Sequence, residues 1–180
     1  MDTVLRGILA GVIGTVFMNL SSETEMHLRG RQPSVVPARA ANKVVSIVGV
    51  PQLEGTALKV LSTWTHYLYG AAWGLVLWVL LSTLELSIAA ALPLFFLIVW
   101  GTEQIELPAL GLTPPAWRWG AGKVAVDLWQ SVVFASDAVA GWRWSARFEL
   151  FCSAGPLLAP KRSVVREARS LLSRLKDGLR

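Results

Sequence analysis

Residues 67–84, YLYGAAWGLVLWVLLSTL, and residues 86–102, LSIAAALPLFFLIVWGT, follow one another with Glu85 as the only charge between them. Uncharged runs of 18 and 17 residues approach the ~20 that a helix rising ~1.5 Å per residue needs to cross ~30 Å of hydrocarbon. The link Ser82-Thr83-Leu84-Glu85-Leu86-Ser87 contains no Lys or Arg. It predicts a tight antiparallel hairpin with its turn on the non-cytoplasmic side.

Two further segments extend the pattern. Residues 7–22 are uncharged between Arg6 and Glu23, and no small-x-small cleavage site follows them, which predicts a retained first helix rather than a signal peptide. The segment at about 121–141 is interrupted by Lys123, Asp127 and Asp137, yet Trp117 and Trp119 precede it and Trp142 and Trp144 follow. From Trp119 to Trp142 is ~35 Å of helix, the separation of two interfacial aromatic belts. On a 100° wheel Lys123, Asp127, Gln130 and Asp137 fall within an arc of ~80°, and a polar stripe on a spanning helix has to face inward.

The predicted fold is an all-α membrane protein, a four-transmembrane-helix bundle with spans at about 4–22, 64–82, 86–106 and 121–141. Composition agrees: 53% of the 180 residues are hydrophobic and 16% charged, and the mean hydropathy is +0.49, values unusual for a soluble domain. In the long first loop, Ala41, Val44, Val45 and Val48 recur at helical spacing opposite Arg39, Asn42, Lys43 and Ser46, until Gly49 and Pro51 stop the pattern. This predicts a short amphipathic helix on the membrane surface. The apolar but proline-rich segment 107–115 is expected to pack against the mouth of the bundle.

The chain divides into a bundle, residues 1–147, and a basic tail, residues 148–180. In the tail Val164, Val165, Ala168, Leu171, Leu172, Leu175 and Leu179 form one stripe, and seven Lys or Arg stand against Glu167 and Asp177, a net of +5. A basic amphipathic C-terminal helix attracted to anionic lipid headgroups is expected there. Without interleaved aromatics it gives no nucleic-acid signature. With four spans, ten Lys and Arg share the side of the termini and seven the other, a near balance in which the uncharged 82–87 turn and the basic tail disagree unless the fourth segment is a re-entrant hairpin; with the tail charge dominant, both termini are expected on the cytoplasmic side.

Catalytic signatures are scarce. Cys152 is the single cysteine, which excludes an internal disulfide, a CxxC pair and a CxxCH haem attachment. No G-x-S-x-G, P-loop or G-x-G-x-x-G occurs, so hydrolase and nucleotide readings have no handle and a non-enzymatic role is favoured. Gly7, Gly11 and Gly14, and then Gly70 and Gly74 one step of four beyond His66, have the small-xxx-small spacing that lets helices approach closely in lipid.

The ionisable and polar residues near membrane depth are His66, Glu103, Glu106, Lys123, Asp127, Gln130 and Asp137. Charges there have to be paired, protonated, solvated or bound to an ion. Glu103 and Glu106 share a face only if their helix persists to Pro108, and Lys123 is their natural salt-bridge partner, or that of Asp127. A structural network and a transport path both fit. His66, Glu103, Glu106 and Asp127 offer metal donors, and His27 and His66 a haem pair, but no H-E-x-x-H, H-x-x-E-H or E-x-x-H spacing supports a metal, and neither a metal site nor a cofactor is expected.

The order Gly7-x3-Gly11-x2-Gly14, Arg31-Gln32-Pro33-Ser34, Pro37-Ala38-Arg39-Ala40, Tyr69-Gly70-Ala71-Ala72-Trp73-Gly74, Glu103, Leu107-Pro108-Ala109-Leu110-Gly111, Pro114-Pro115-x-Trp117 and Asp127 resembles the YagU-like small bacterial inner membrane proteins, particularly four-helix versions from high-GC Gram-positive bacteria. The resemblance covers roughly residues 3–142 and implies a multi-pass protein of the bacterial inner membrane with uncharacterised activity. In such relatives a histidine often follows the Asp127 position by about one turn, where this chain has Gln130.

Three functional readings follow. The first is a structural, assembly or accessory membrane component, as a homo-oligomer or as a subunit of a larger complex. The second is a small proton- or ion-coupled transporter or channel using the intramembrane acids, and the third a metal- or haem-bearing redox protein.

Overall fold

A computed structural model describes residues 2–30, 36–47, 49 and 51–158, with side chains described up to residue 147. Among the described residues there are five α-helices and no strands: α1 Thr3–Arg29, α2 Val36–Ile47, α3 Gly55–Trp78, α4 Ile88–Ala109 and α5 Ala121–Leu158. A π-helical turn, Val79–Thr83, continues α3, and a 3-10 turn, Ala116–Arg118, precedes α5. The chain divides into two compact units, Met1–Ser145 and Ala146–Arg180. The helical bundle belongs to the first. The second carries the end of α5, and the amphipathic helix expected over 161–180 lies outside the described residues.

Local chemistry sets the helix ends. The Asp2 carboxylate accepts from the Val4 amide at 3.1 Å, satisfying one of the free donors of the first turn, and Gly30 ends α1 at φ 61°, a left-handed cap that costs glycine little. Between α3 and α4 the Leu84 and Leu86 amides donate to the carbonyls of Val79 and Leu80 at 2.9 and 3.0 Å. Glu85 takes a positive φ of 51°, and the Ser87 hydroxyl caps α4. Helix α4 runs through Pro108 to Ala109, so Glu103 and Glu106 do stand one turn apart on a continuous helix.

Four helices pair antiparallel in a closed ring, α3–α1–α5–α4. Against α3, residues of α1 meet partners in reverse order, from Thr3 with Trp78 at one end to Asn19 with His66 towards the other. The glycines form the seam between them. A Cβ on Gly7 would stand 2.7 Å from the Gly74 carbonyl oxygen, and one on Gly11 or Gly74 would collide with the carbonyl of Gly70 or Gly7. Gly14 instead faces α5, where the Phe134 carbonyl lies 2.7 Å from its Cβ position. Between α4 and α5, the Phe95 and Phe134 rings are 6.0 Å apart, and Tyr69 of α3 reaches Glu106 of α4.

Two of these helices, α1 and α4, are long and apolar enough to cross a membrane, not the four expected. The second expected span departs because its helix starts at Gly55 rather than near 64, and its most apolar stretch runs on into the π-helical turn. The fourth falls short because Lys123, Asp127 and Asp137 interrupt it. Helix α2 occupies the first loop, with Ala41 buried, Val44 and Ile47 exposed, and Val48 outside the described residues. The Asn42 side chain accepts from the Leu53 amide at 2.9 Å and donates to the Leu53 carbonyl at 3.0 Å, closing the loop between α2 and α3.

The bundle has two unlike halves. Where α1 begins, Ala10, Leu77, Leu80, Ala91, Phe95, Ala135, Ala138 and Val139 make a dry core. Arg6 closes that end by donating to the Trp142 carbonyl at 3.2 Å, with its guanidinium 4.3 Å from the Trp142 ring centre. The half where α1 ends is hollow.

Candidate functional site: an acid-lined cavity

The hollow half holds a cavity of about 400 Å3 to which all five helices contribute. Its inner end lies among Thr15, Gly70, Val99 and Phe134, and its outer end is bounded by α2 and the 110–119 loop. Six of the seven polar candidates line it: His66, Glu103, Glu106, Lys123, Asp127 and Gln130. Glycine is required beside it as well, because a Cβ on Gly70 would strike the Thr15 hydroxyl.

Each carboxylate is reached from a different side. Asp127 accepts from the Trp100 indole at 3.0 Å and from the Gln104 amide at 3.1 Å, both donors one helical turn apart on α4 and both on the same oxygen. Glu106 accepts from the Tyr69 hydroxyl at 2.8 Å, and the Tyr69 ring packs edge to face against Trp73 at 5.8 Å. Glu103 lies between them, within electrostatic range of Asp127 and Glu106 and beside Ser131. Ser131 in turn donates to the Asp127 carbonyl. His66 shares a hydrogen bond of 3.1 Å with the Asn19 side chain.

Lys123 does not close the expected salt bridge. Its ammonium sits 4.1 Å from the Trp119 ring centre, and among the described residues no ion pair joins it to Glu103, Glu106 or Asp127. A cation over an aromatic face keeps its charge stabilised by the ring quadrupole, and the Trp119 indole is held by the Pro114 carbonyl at 2.7 Å. Among the described residues, both amide atoms of Gln130 and the Thr113 hydroxyl, on the cavity lining, are buried with no partner. Buried groups of this kind are ordinarily satisfied, so here they are available to something in the cavity.

Asp137 is the exception to the predicted inward stripe. It lies in an outer groove between α1 and α5, with Phe17, Leu20, Trp129 and Val133, where the Trp129 indole donates to Ser21 at 3.0 Å. Asp137 and Asp127 occupy opposite edges of the ~80° arc, so Asp127 turns towards α4 and Asp137 towards α1. Beyond Phe134 the interior is filled by Ala135, Ala138 and Val139 and has no room for a carboxylate. Gly7, Gly11, Gly14 and Gly74 lie on helix seams, outside the cavity.

Among the described residues no group of three or more His, Cys, Asp or Glu is placed to hold a metal ion. His27 is exposed, two turns or ~12 Å along α1 from the Asn19 that holds His66, so the two histidines do not flank a common void. The residues that the sequence did not single out are the donors, Tyr69, Trp100, Gln104 and Ser131. Gln104 lies between Glu103 and Glu106, just past the end of the uncharged run 86–102. Tyr69 appears only within the Tyr69–Gly74 motif of the resemblance, and nothing in the sequence marks Trp100 or Ser131 as a donor. Comparison of the chain with protein-family models, with characterised proteins and with solved structures finds no match.

Proposed function

We propose that the chain is a multi-pass protein of a bacterial inner membrane that acts as a small proton- or ion-coupled carrier, taking a solute into the acid-lined cavity between its helices. The observation that carries this reading is convergence: six polar residues spread from His66 to Gln130 line one cavity, and among the described residues no ion pair joins Lys123 to its acids. Intramembrane ionisable groups around a void mark solute or proton pathways.

Membrane insertion is supported by the outer surface. Only 17% of the apolar window of α4 and 28% of that of α1 is buried, and Leu9, Phe17, Leu20, Leu68, Leu94 and Leu97 are among the large side chains exposed around the bundle. A soluble monomer rarely carries so extensive an apolar surface. Exposed Trp64 and Trp117 at one end and Trp144 at the other suit two interfacial belts. Helices α3 and α5 are less apolar because their polar residues line the cavity, and on this reading they complete four crossings.

The dry core below Phe134 separates the cavity from the opposite end, so passage requires movement along the helix seams rather than flow through an open pore. In sealed vesicles containing the purified protein and an internal pH dye, an imposed potential is expected to drive proton entry above that of protein-free vesicles. Glu103→Gln and Asp127→Asn should each bring entry close to the protein-free rate; unchanged flux in both variants removes these residues from the path.

A second reading, an assembly or accessory component working as a homo-oligomer or as a subunit of a larger complex, is favoured by the apolar outer groove around Asp137 and Trp129. Anionic lipid remains the proposed partner of the basic tail.

A further inference from the structure

The cavity wall combines three features. Three carboxyl groups, Glu103, Glu106 and Asp127, outnumber the one ammonium on the wall, Lys123, which rests against the Trp119 ring. Aromatic groups, Tyr69, Trp73 and Phe134, stand among the acids. The amide of Gln130 and the hydroxyl of Thr113 have buried polar atoms with no partner among the described residues.

A bare divalent ion suits this wall poorly, because the acids are distributed around it and no three of the described His, Cys, Asp or Glu residues converge as metal ligands. A larger cation with diffuse charge and an apolar body suits it well. It would take electrostatic stabilisation from several carboxylates at a distance, lie against aromatic faces whose quadrupoles attract it, and find hydrogen-bonding groups along the wall. The volume of about 400 Å3 lies in the range of small organic ligands, roughly 300–1,000 Å3.

Building on the carrier reading, we propose that the solute is a monovalent organic cation, an ammonium group carried on an apolar or aromatic body. The ammonium sits among Glu103, Glu106 and Asp127, and the apolar body lies against Tyr69, Trp73 and Phe134. The amide of Gln130 lies beside the bound molecule, one turn short of Phe134 at the inner end.

Thiol modification at the cavity tests this in the full-length protein. In a Cys152→Ser background, Gln130→Cys is treated with trimethylammonioethyl methanethiosulfonate and with sulfonatoethyl methanethiosulfonate. Both rates are normalised to the exposed position Thr56→Cys, and thermal unfolding verifies that each variant is folded. The cationic reagent is expected to be favoured at Gln130→Cys by about tenfold or more. Glu103→Gln should cut that preference several-fold, and benzyltrimethylammonium should protect the thiol where benzenesulfonate does not. Equal normalised rates, or protection by the anion instead, overturn the cation assignment while leaving a solute-accessible cavity. Failure of both reagents to reach Gln130→Cys, in a protein that modifies normally at Thr56→Cys, overturns the cavity reading itself and the assignment with it.

Discussion

Two glycines show how much one hydrogen atom decides. At Gly11 a methyl group would be driven into the Gly70 carbonyl, whereas at Gly101 a Cβ meets nothing within 4 Å. Gly11→Ala therefore has to part α1 from α3 and is expected to cost ~1–3 kcal/mol or more, seen as a lowered unfolding temperature in mild detergent. Gly101→Ala should be neutral or stabilising by ~0.5–1 kcal/mol, since it only adds helix propensity. At Asp127 one oxygen receives both the Trp100 and the Gln104 donor. Asp127→Leu leaves two part-buried donors unpaired, at up to ~1–3 kcal/mol each, while Asp127→Asn retains an acceptor. The unfolding temperatures are expected to rank wild type, Asn variant, Leu variant, and equal stability of the two variants would contradict the role assigned to that oxygen. The spacing of Gly7, Gly11, Gly70 and Gly74 is visible in the sequence because small residues at steps of four have few uses on a lipid-facing helix. Spacing does not say which glycine faces which, or that Gly14 turns to α5, because the choice of neighbour is made by tertiary packing.

The helices vary in how openly their residues announce them. Helix α4 is apolar nearly throughout and capped by Ser87, so its start was legible; its continuation through Pro108 was not, because proline is a helix breaker except where the lost hydrogen bond is tolerated. Helix α3 begins at Gly55, well before the uncharged run, since Leu58, Leu61 and Trp64 are separated by polar residues that mask the apolar periodicity. The stripe on α5 was readable as a stripe, but an arc of ~80° spans two neighbours, and Asp137 went to the other one. Helix α2 depends on the paired hydrogen bonds between Asn42 and Leu53. Asn42→Ala removes both, a loss of ~1–3 kcal/mol, and should free α2 from the rim of the cavity. Trypsin cleavage after Arg39 or Lys43 is expected to accelerate about tenfold, the rate equivalent of ~1.4 kcal/mol in an opening equilibrium; an unchanged cleavage rate would show that other contacts hold α2.

At the scale of the molecule, a Gly-seamed dry half and a hollow acidic half are stacked within one antiparallel bundle. The dry half fixes the helices relative to one another, and the hollow half holds acids that a fully packed interior would not tolerate. The proposed carrier requires the bundle to cross the membrane four times, with the 82–87 turn on the side of the first residues and the 49–56 and 111–116 connections on the other. Labelling single cysteines in intact cells with a membrane-impermeant maleimide, in the Cys152→Ser background and with permeabilised cells as the reference, measures this directly. Glu85→Cys and Asp2→Cys are predicted to share one accessibility, and Thr56→Cys and Leu112→Cys the opposite one. Glu85→Cys and Thr56→Cys reacting from the same side, in a protein retained in the membrane fraction, would contradict the four-crossing bundle and the carrier built on it.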